Sequence, residues 1–197
     1  MRFGILDFPQ SICTDDLVYA VDQMLEQSAS VIDFRNEKIL NIDVLIISDY
    51  LEDLSQPIVK ALQLFEENGG RLLAIGEGVK TLIELGLLPG RLAVNKSERL
   101  LSQEVELCPV NMTNFLTNTL KEEEPLRLSV SGSHCRWVCN GDYETLVSNN
   151  RVLFRYHGLA DEFVDMRNEQ ETIAGLVNAQ ELFLVFYFTP KGLLMMK

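Results

Sequence analysis

Apolar runs alternate with stretches of helical period along the first ninety residues. The run at 2–8 (RFGILDF) predicts a first strand, ended by the turn Phe8-Pro9-Gln10-Ser11. Thr14 or Asp15 can then cap a helix whose apolar positions, Leu17, Val18, Val21, Met24 and Leu25, fall on one face. Residues 30–34 predict a second strand. A third, 43–47, is apolar from Val44 onward, as expected of a central parallel strand covered on both faces. Ser55 and Pro57 open the next helix, which turns Ile58, Ala61, Leu62 and Phe65 inward and closes at Gly69-Gly70. The stretch 71–80 then reads as a buried strand, a tight glycine turn and a helix running to Gly86, followed by Leu87-Leu88-Pro89-Gly90. Strand and helix in alternation predict an α/β fold: a doubly wound, mostly parallel sheet flanked by helices.

The second half changes character. Short strand candidates at 91–94, 105–108, 126–130, 136–139, 151–156, 172–176 and 182–188 are separated by turn-like segments. There is no internal repeat, low-complexity tract or linker. The expected organisation is therefore one domain over 1–197 with a β-rich second half, rather than two domains.

Composition narrows the partners. At 47% hydrophobic and 23% charged over 197 residues, the chain has the make-up of an ordinary globule with a full core. A formal charge of −12 excludes a basic stripe for nucleic acid or an anionic membrane surface. The run Glu122-Glu123-Glu124 reads as a solvated turn. Met1 leads directly into an apolar strand without a signal-peptide pattern, and no run reaches the ~18 apolar residues of a membrane span. Cys13, Cys108, Cys135 and Cys139 form no CxxC pair and suit a reducing cytoplasm; no metal or other cofactor is expected.

The candidate chemistry centres on the turn after Ile75. A strand-to-helix turn can hold a nucleophile beside the free N–H groups of a helix start, but its tip here is Gly76, which has no side chain to attack with. Glu77 stands at the first turn of the following helix, where the dipole favours its carboxylate and where its charge would repel a phosphate. Gly76-Glu77-Gly78 is too short to define a phosphate loop. His134-Cys135 is the one adjacent Cys/His pair, and neighbours on a strand point to opposite faces, against a nucleophile–base pairing. Glu77, Gly78, His134 and Cys135 together mark a candidate pocket. Trp137, in a strand candidate, reads as core or interface packing.

Five segments, in order, carry a family resemblance. Phe8-Pro9-Gln10-Ser11-Ile12-Cys13 is similar to a first-strand turn reading F-P-G-S-N-C, and Gly86-Leu87-Leu88-Pro89-Gly90 matches G-L-L-P-G. Asn95-Lys96-Ser97 matches N-K-S; residues 149–156 resemble N-N-Q-V-x-F-R-Y; residues 172–178 resemble N-I-A-G-I-x-N. This order resembles the glutaminase subunit of phosphoribosylformylglycinamidine synthase, a class I (triad) glutamine amidotransferase of purine biosynthesis. The resemblance implies a flavodoxin-like sheet. It also implies as partners the purine-pathway synthetase subunit and, in some bacteria, a small accessory subunit.

The departures fall on the chemistry. The family's nucleophile lies in G-I-C-N-G, which aligns with Ala74-Ile75-Gly76-Glu77-Gly78, so the cysteine position is Gly76. Its P-H-P-E aligns with Phe188-Thr189-Pro190-Lys191, so base and orienting acid become Thr189 and Lys191. Its P-G-G loop is replaced by Ser48-Asp49-Tyr50-Leu51 with a marked deletion, and its H-G-E-G loop aligns with Gly132-Ser133-His134-Cys135. Threonine cannot shuttle a proton near neutral pH, and lysine reverses the orienting charge. The resemblance with these losses implies a glutaminase-like pseudo-subunit without a catalytic triad. The alternatives are a hydrolase or residual glutaminase with a displaced nucleophile such as Cys13 or Cys135, and a small-ligand sensor using the vacated pocket.

Overall fold

A computed structural model describes residues 1–9, 11, 13–36, 38–50, 56–114, 117–121, 124–134, 136–141, 143–178 and, for the backbone, 183–186. The first half is a five-stranded parallel sheet built from β1 (Arg2–Asp7), β2 (Ser28–Asp33), β3 (Val44–Ile47), β4 (Arg71–Ile75) and the late strand β11 (Phe183–Phe186). Its spatial order is β11-β4-β3-β1-β2. Leaving β1, the chain moves to one side for β2 and then crosses to the other for β3 and β4. That reversal is the doubly wound topology.

Alternation along the strands decides what each face meets. Ile5, Ile46 and Ile75 enter one core together with Leu17 and Val21 of the first helix and side chains such as Leu107, Val130 and Phe154. Their neighbours Leu6, Leu45, Ile47, Leu72 and Ala74 enter the opposite core. There they meet Ile58, Ala61, Leu62 and Phe65 of α2 (Gln56–Glu67) and Val79 and Leu82 of α3 (Gly78–Glu84). The four α2 positions are those its 3.6-residue period predicts. Every residue of β3 is buried, as its unbroken apolar run requires.

The first helix departs from the expected pattern. α1 spans Thr14–Tyr19 and continues as a π-helical turn over Ala20–Met24. Its N-cap is Cys13, not Thr14 or Asp15, because the Thr14 hydroxyl is drawn away to Asp7 of β1. The π turn widens the helix, and Leu25 ends 40% exposed instead of on the inner face.

The β-rich second half is an antiparallel sheet in the order β10-β9-β6-β7, made of β6 (Leu101–Pro109), β7 (Leu126–Gly132), β9 (Val152–His157) and β10 (Ile173–Leu176). A two-stranded ribbon pairs β5 (Arg91–Ala93) with β8 (Arg136–Val138). One element was not expected: α4 (Tyr143–Ser148), a short helix that buries Leu146. It is too short to show a helical period in the sequence.

The ribbon explains two of the family-like segments. Trp137 is buried, donates its indole N–H to the Pro89 carbonyl at 3.0 Å, and lies against Gly90. A Cβ on Gly90 would stand 2.5 Å from the ring, and its φ of +91° is one that glycine adopts without strain. Farther on, Asn95 is buried and its amide donates to the carbonyls of Arg99 (2.8 Å) and Gly132 (3.1 Å), joining the β5–β6 connection to the end of β7. The Arg155 guanidinium likewise ties β9 to α4 through Tyr143 Oη (2.7 Å) and to the turn before β10 through Thr172 Oγ1 (2.8 Å).

Arg136 and Glu171 form a bidentate pair at 2.9 and 2.7 Å that joins β8 to the turn before β10; their side chains are 23% and 13% exposed. The Arg136 hydrogen bond holds the Glu171 carboxyl below its ordinary 4.5, with a further bond from the Asp165 N–H. A depressed carboxyl stabilises the fold above the unfolded-state value and loses that contribution as pH falls through the folded value. Glu171→Gln is therefore expected to cost about 1–2 kcal/mol at pH 7, with the difference from wild type closing below pH 4.5. Urea denaturation of both proteins at pH 7 and pH 3 checks this; a difference that stays constant would remove the ion pair from the account.

Candidate functional site

In an open α/β sheet the natural crevice lies beyond the carboxyl ends of the strands where strand order reverses, here between β1 and β3. Three chain segments meet there: the turn after β1, the segment after β3, and the β4–α3 turn. The first two are joined by side chains. Ser11 Oγ and Ser48 Oγ both donate to Asp49 Oδ2, at 2.6 and 2.8 Å. Thr14 Oγ1 donates to Asp7 Oδ1 at 2.6 Å and lies 2.9 Å from Ser11 Oγ. Sequence reasoning passed over Asp7 and Asp49 as site residues. The available signal was their position at the carboxyl ends of apolar strands at the reversal point, Asp7 closing β1 and Asp49 two residues past β3.

The segment after β3 lies down on α3. Asp49 O accepts from Thr81 Oγ1 at 3.2 Å, and Tyr50 Oη donates to Glu84 Oε1 at 2.8 Å. Lys80 Nζ sits 3.5 Å from the centre of the Tyr50 ring, a cation–π contact. The segment is thus held against the neighbouring helix by the Asp49 carbonyl and the Tyr50 side chain.

The β4–α3 turn is set by two glycines with different roles. Gly76 has φ +58°, the left-handed region, which reverses the chain directly after β4. Gly78 begins α3 over the end of β3: a Cβ there would stand 2.0 Å from the Ile47 carbonyl oxygen and 2.6 Å from its carbon. Only a residue without a side chain lets the helix start this close to the strand.

Glu77 occupies the N-cap position of α3, yet its side chain makes no cap hydrogen bond. Its backbone is in the right-handed helical region instead of the extended region from which a cap side chain folds back onto the helix N–H groups. Its Oε1 lies 3.8 Å from His134 Nδ1, in the turn between β7 and β8. Ser133 Oγ is 2.9 Å from the same nitrogen. The structure therefore brings together Glu77, Gly78 and His134 of the expected pocket. Both polar partners crowd one ring nitrogen, so they do not form a relay that uses the two nitrogens separately. Cys135, Thr189 and Lys191 lie outside the described residues.

Two of the described cysteines, Cys13 and Cys108, are poor nucleophiles. Cys13 is half-buried against the core at the start of α1. Burial pushes its thiol up from 9.0, reinforced by the carboxylates of Asp49 and Asp16; burial and Glu106 push Cys108 the same way. A thiol held protonated does not attack. Among the described residues no three His, Cys, Asp or Glu side chains converge on a metal position, and no helix is long and apolar enough to cross a membrane.

No protein-family model matches the chain. Solved structures do. The PurLQS structure from Thermotoga maritima superposes with a TM-score of 0.76 over 93% of this chain and 84% of that one, at 22% identity. The glutaminase domain of Trypanosoma brucei CTPS with bound acivicin superposes with a TM-score of 0.64 over 99% of this chain and 90% of that one, at 9% identity. With its parallel sheet and antiparallel second half, the chain has the class I glutamine amidotransferase-like α/β fold. Sequence carries the assignment further. The chain is 31% identical over 191 residues to phosphoribosylformylglycinamidine synthase subunit PurQ of Salinibacter ruber, covering 90% of this chain and 81% of the relative. It is 29% identical over 192 residues to PurQ of Staphylococcus saprophyticus, covering 90% and 86%. The chain belongs to the PurQ family of phosphoribosylformylglycinamidine synthase subunits.

Two outcomes follow from this geometry. Gly78→Ala is expected to cost about 3 kcal/mol or more, because the obstructing atoms are backbone that cannot rotate away. Gly141→Ala, with nothing within 4 Å of the added carbon, should stay within about 0.5 kcal/mol. Equal urea midpoints for the two variants would dismiss the close approach as a constraint. Cys13 is expected to react with iodoacetamide more slowly than free cysteine at pH 7, with a rate still rising at pH 9.0. Peptide-resolved mass spectrometry reads this directly, and a rate that levels off near neutrality would identify an activated thiolate.

Proposed function

We propose that the chain is a PurQ-type pseudo-subunit: it keeps the scaffold of the glutaminase, does not hydrolyse glutamine, and acts structurally or as a regulator beside a purine-pathway synthetase. The observation that carries this reading is the β4–α3 turn. Its geometry is that of a nucleophile-bearing turn, yet its tip is Gly76, with φ +58° and no side chain. The alignment with Thr189 and Lys191 at the base and acid positions supports the same reading, since a triad acts as one unit. The packing of residues 48–50 against Thr81 and Glu84 adds to it, because that segment stands where the family has its glycine-containing loop.

What the chain shares with the family supports a retained scaffold. Gly90, Asn95 and Arg155 each close a contact between elements, and none of those contacts passes through Gly76. The PurLQS assembly of Thermotoga maritima supports a synthetase subunit and a small accessory subunit as the partners. In such an assembly the synthetase would draw on free ammonia. The alternative of a displaced cysteine is weakened at Cys13 by its raised thiol.

Ammonia release from glutamine tests the reading, measured with the chain alone and with the synthetase and accessory subunit of the same organism. No release above background is expected in either case, and Gly76→Cys is expected to remain inactive because base and acid are not restored. Light scattering on a size-exclusion column is expected to show a complex with the synthetase. Glutamine turnover that disappears in Cys13→Ala or Cys135→Ala would overturn the pseudo-subunit, and two separate peaks would overturn the partnership.

A further inference from the structure

The parallel sheet ends at β2, whose one strand neighbour is β1. In a parallel ladder a residue directs its N–H and C=O to the same side, and successive residues alternate. The Phe34 N–H donates to Asp7 O at 3.1 Å, which sets the phase. Ser28, Ser30 and Ile32 bond to β1, and Ala29, Val31 and Asp33 face outward. The Ala29 N–H is taken by Asp22 Oδ1 at 2.8 Å. The Val31 N–H and C=O, flanked by the Ala29 C=O and the Asp33 N–H, meet no partner among the described residues. This edge also lacks the devices that keep strand edges apart. It runs six residues in unbroken register and carries no proline, lysine or arginine. The edges of the antiparallel sheet differ: β10 is irregular against β9, and β7 presents the exposed Arg127.

Charge selects what this edge accepts. Between Arg2 and Arg35 the chain has no lysine or arginine, the longest such interval in the sequence. The interval folds as β1, α1 and β2, with α1 and its π turn packed on both strands. Because β1 and β2 are parallel, α1 runs back between them and its carboxylates follow the length of β2. Asp15 and Asp16 stand towards the carboxyl end of the strand and Glu26 just before its amino end, all three exposed. None of them enters an ion pair among the described residues. The next cation along the chain, Arg35, is held by Asp33 at 2.8 Å. Lys38 belongs to the connection that packs into the opposite core through Phe34, Ile39 and Ile42. Val31, in register with Ile5 on the α1 side, is 52% exposed. A second copy continuing the sheet through a two-fold axis would set two acidic helices side by side, so like charge opposes self-pairing.

We propose that the β2 edge accepts an extended, basic segment of a partner protein as a sixth strand, paired antiparallel through Val31. The backbone of the segment completes the outward N–H and C=O groups. Its lysine or arginine side chains on the α1 side meet Asp15, Asp16 and Glu26. The surface shares no residue with the β4–α3 turn, so failure here leaves the pseudo-subunit reading as it stands, and the converse also holds.

The test titrates the full chain with a labelled, end-blocked heptapeptide of alternating lysine and valine, and with its glutamate–valine counterpart. Fluorescence anisotropy is expected to show saturable binding of the lysine peptide, at least about tenfold tighter than the glutamate peptide and weakening as salt rises. Amide hydrogen exchange of the unmodified chain, read by NMR, is expected to slow at Val31 when the peptide saturates; attraction by charge alone does not produce this. Val31→Pro removes the outward N–H and spares the β1 ladder, and is expected to weaken the peptide about tenfold. Neutralising Asp16→Asn together with Glu26→Gln is expected to weaken it about fivefold. Absence of saturable binding, equal affinity for the two peptides, or unslowed exchange at Val31 would overturn the assignment. A dimer in sedimentation that Val31→Pro dissolves would give the edge to a second copy instead, and would overturn it equally.

Discussion

Gly78 packs so tightly over the carbonyl of Ile47 that a single added carbon atom would stand 2.0 Å from its oxygen. It seats the start of α3 directly on the end of β3, and much of the reversal-point crevice follows from that seat. From this position Thr81 reaches Asp49, Glu84 and Lys80 reach Tyr50, and Glu77 comes within 3.8 Å of His134. Shifting α3 outward by the width of a methyl group would loosen all of these together. The turn that precedes it depends on Gly76 for direction, whereas Gly78 supplies proximity. Two glycines in three residues therefore answer two different steric demands.

The parallel sheet was readable because its strands and α2 are long enough to show their periods. The alternation of Leu6 against Ile5, or Leu45 against Ile46, sorts residues onto two faces without further information. The α2 stripe of Ile58, Ala61, Leu62 and Phe65 is equally direct. Short elements whose form depends on tertiary contacts were not readable. α4 holds six residues and owes its place to Leu146 and to the Arg155–Tyr143 bond from another element. Thr14 looks like a cap in sequence, but Asp7 competes for its hydroxyl across a turn. Such competition is decided by distance in space, which spacing along the chain does not encode.

The candidate site was legible in a similarly divided way. That Gly76 carries no reactive atom is plain from the residue itself. That Glu77 leaves the helix amides and turns toward His134 depends on the backbone angle at the cap, and that Cys13 is pushed toward its thiol form depends on burial against the core, reinforced by Asp49 from the segment after β3. Asp7 and Asp49 are anchored by Thr14, Ser11 and Ser48. Their neighbours convert what could be two free carboxylates into a stitched, polar floor.

A scaffold and its chemistry are separable when the contacts that hold the one do not run through the groups that perform the other. Gly90 under Trp137, the Asn95 amide between two carbonyls and the Arg155 fork are all placed in the second half or at its ribbon, and each joins backbone segments that Gly76 does not touch. Removing a nucleophile from the β4–α3 turn therefore leaves their geometry intact. Glycine at that position even relieves the turn, since a side chain at φ +58° carries a steric cost of about 1–2 kcal/mol. A nucleophile there must be held against that cost by the rest of the fold. In the proposed pseudo-subunit the requirement is gone, and the turn is left to direct the chain from β4 into the close seat of α3.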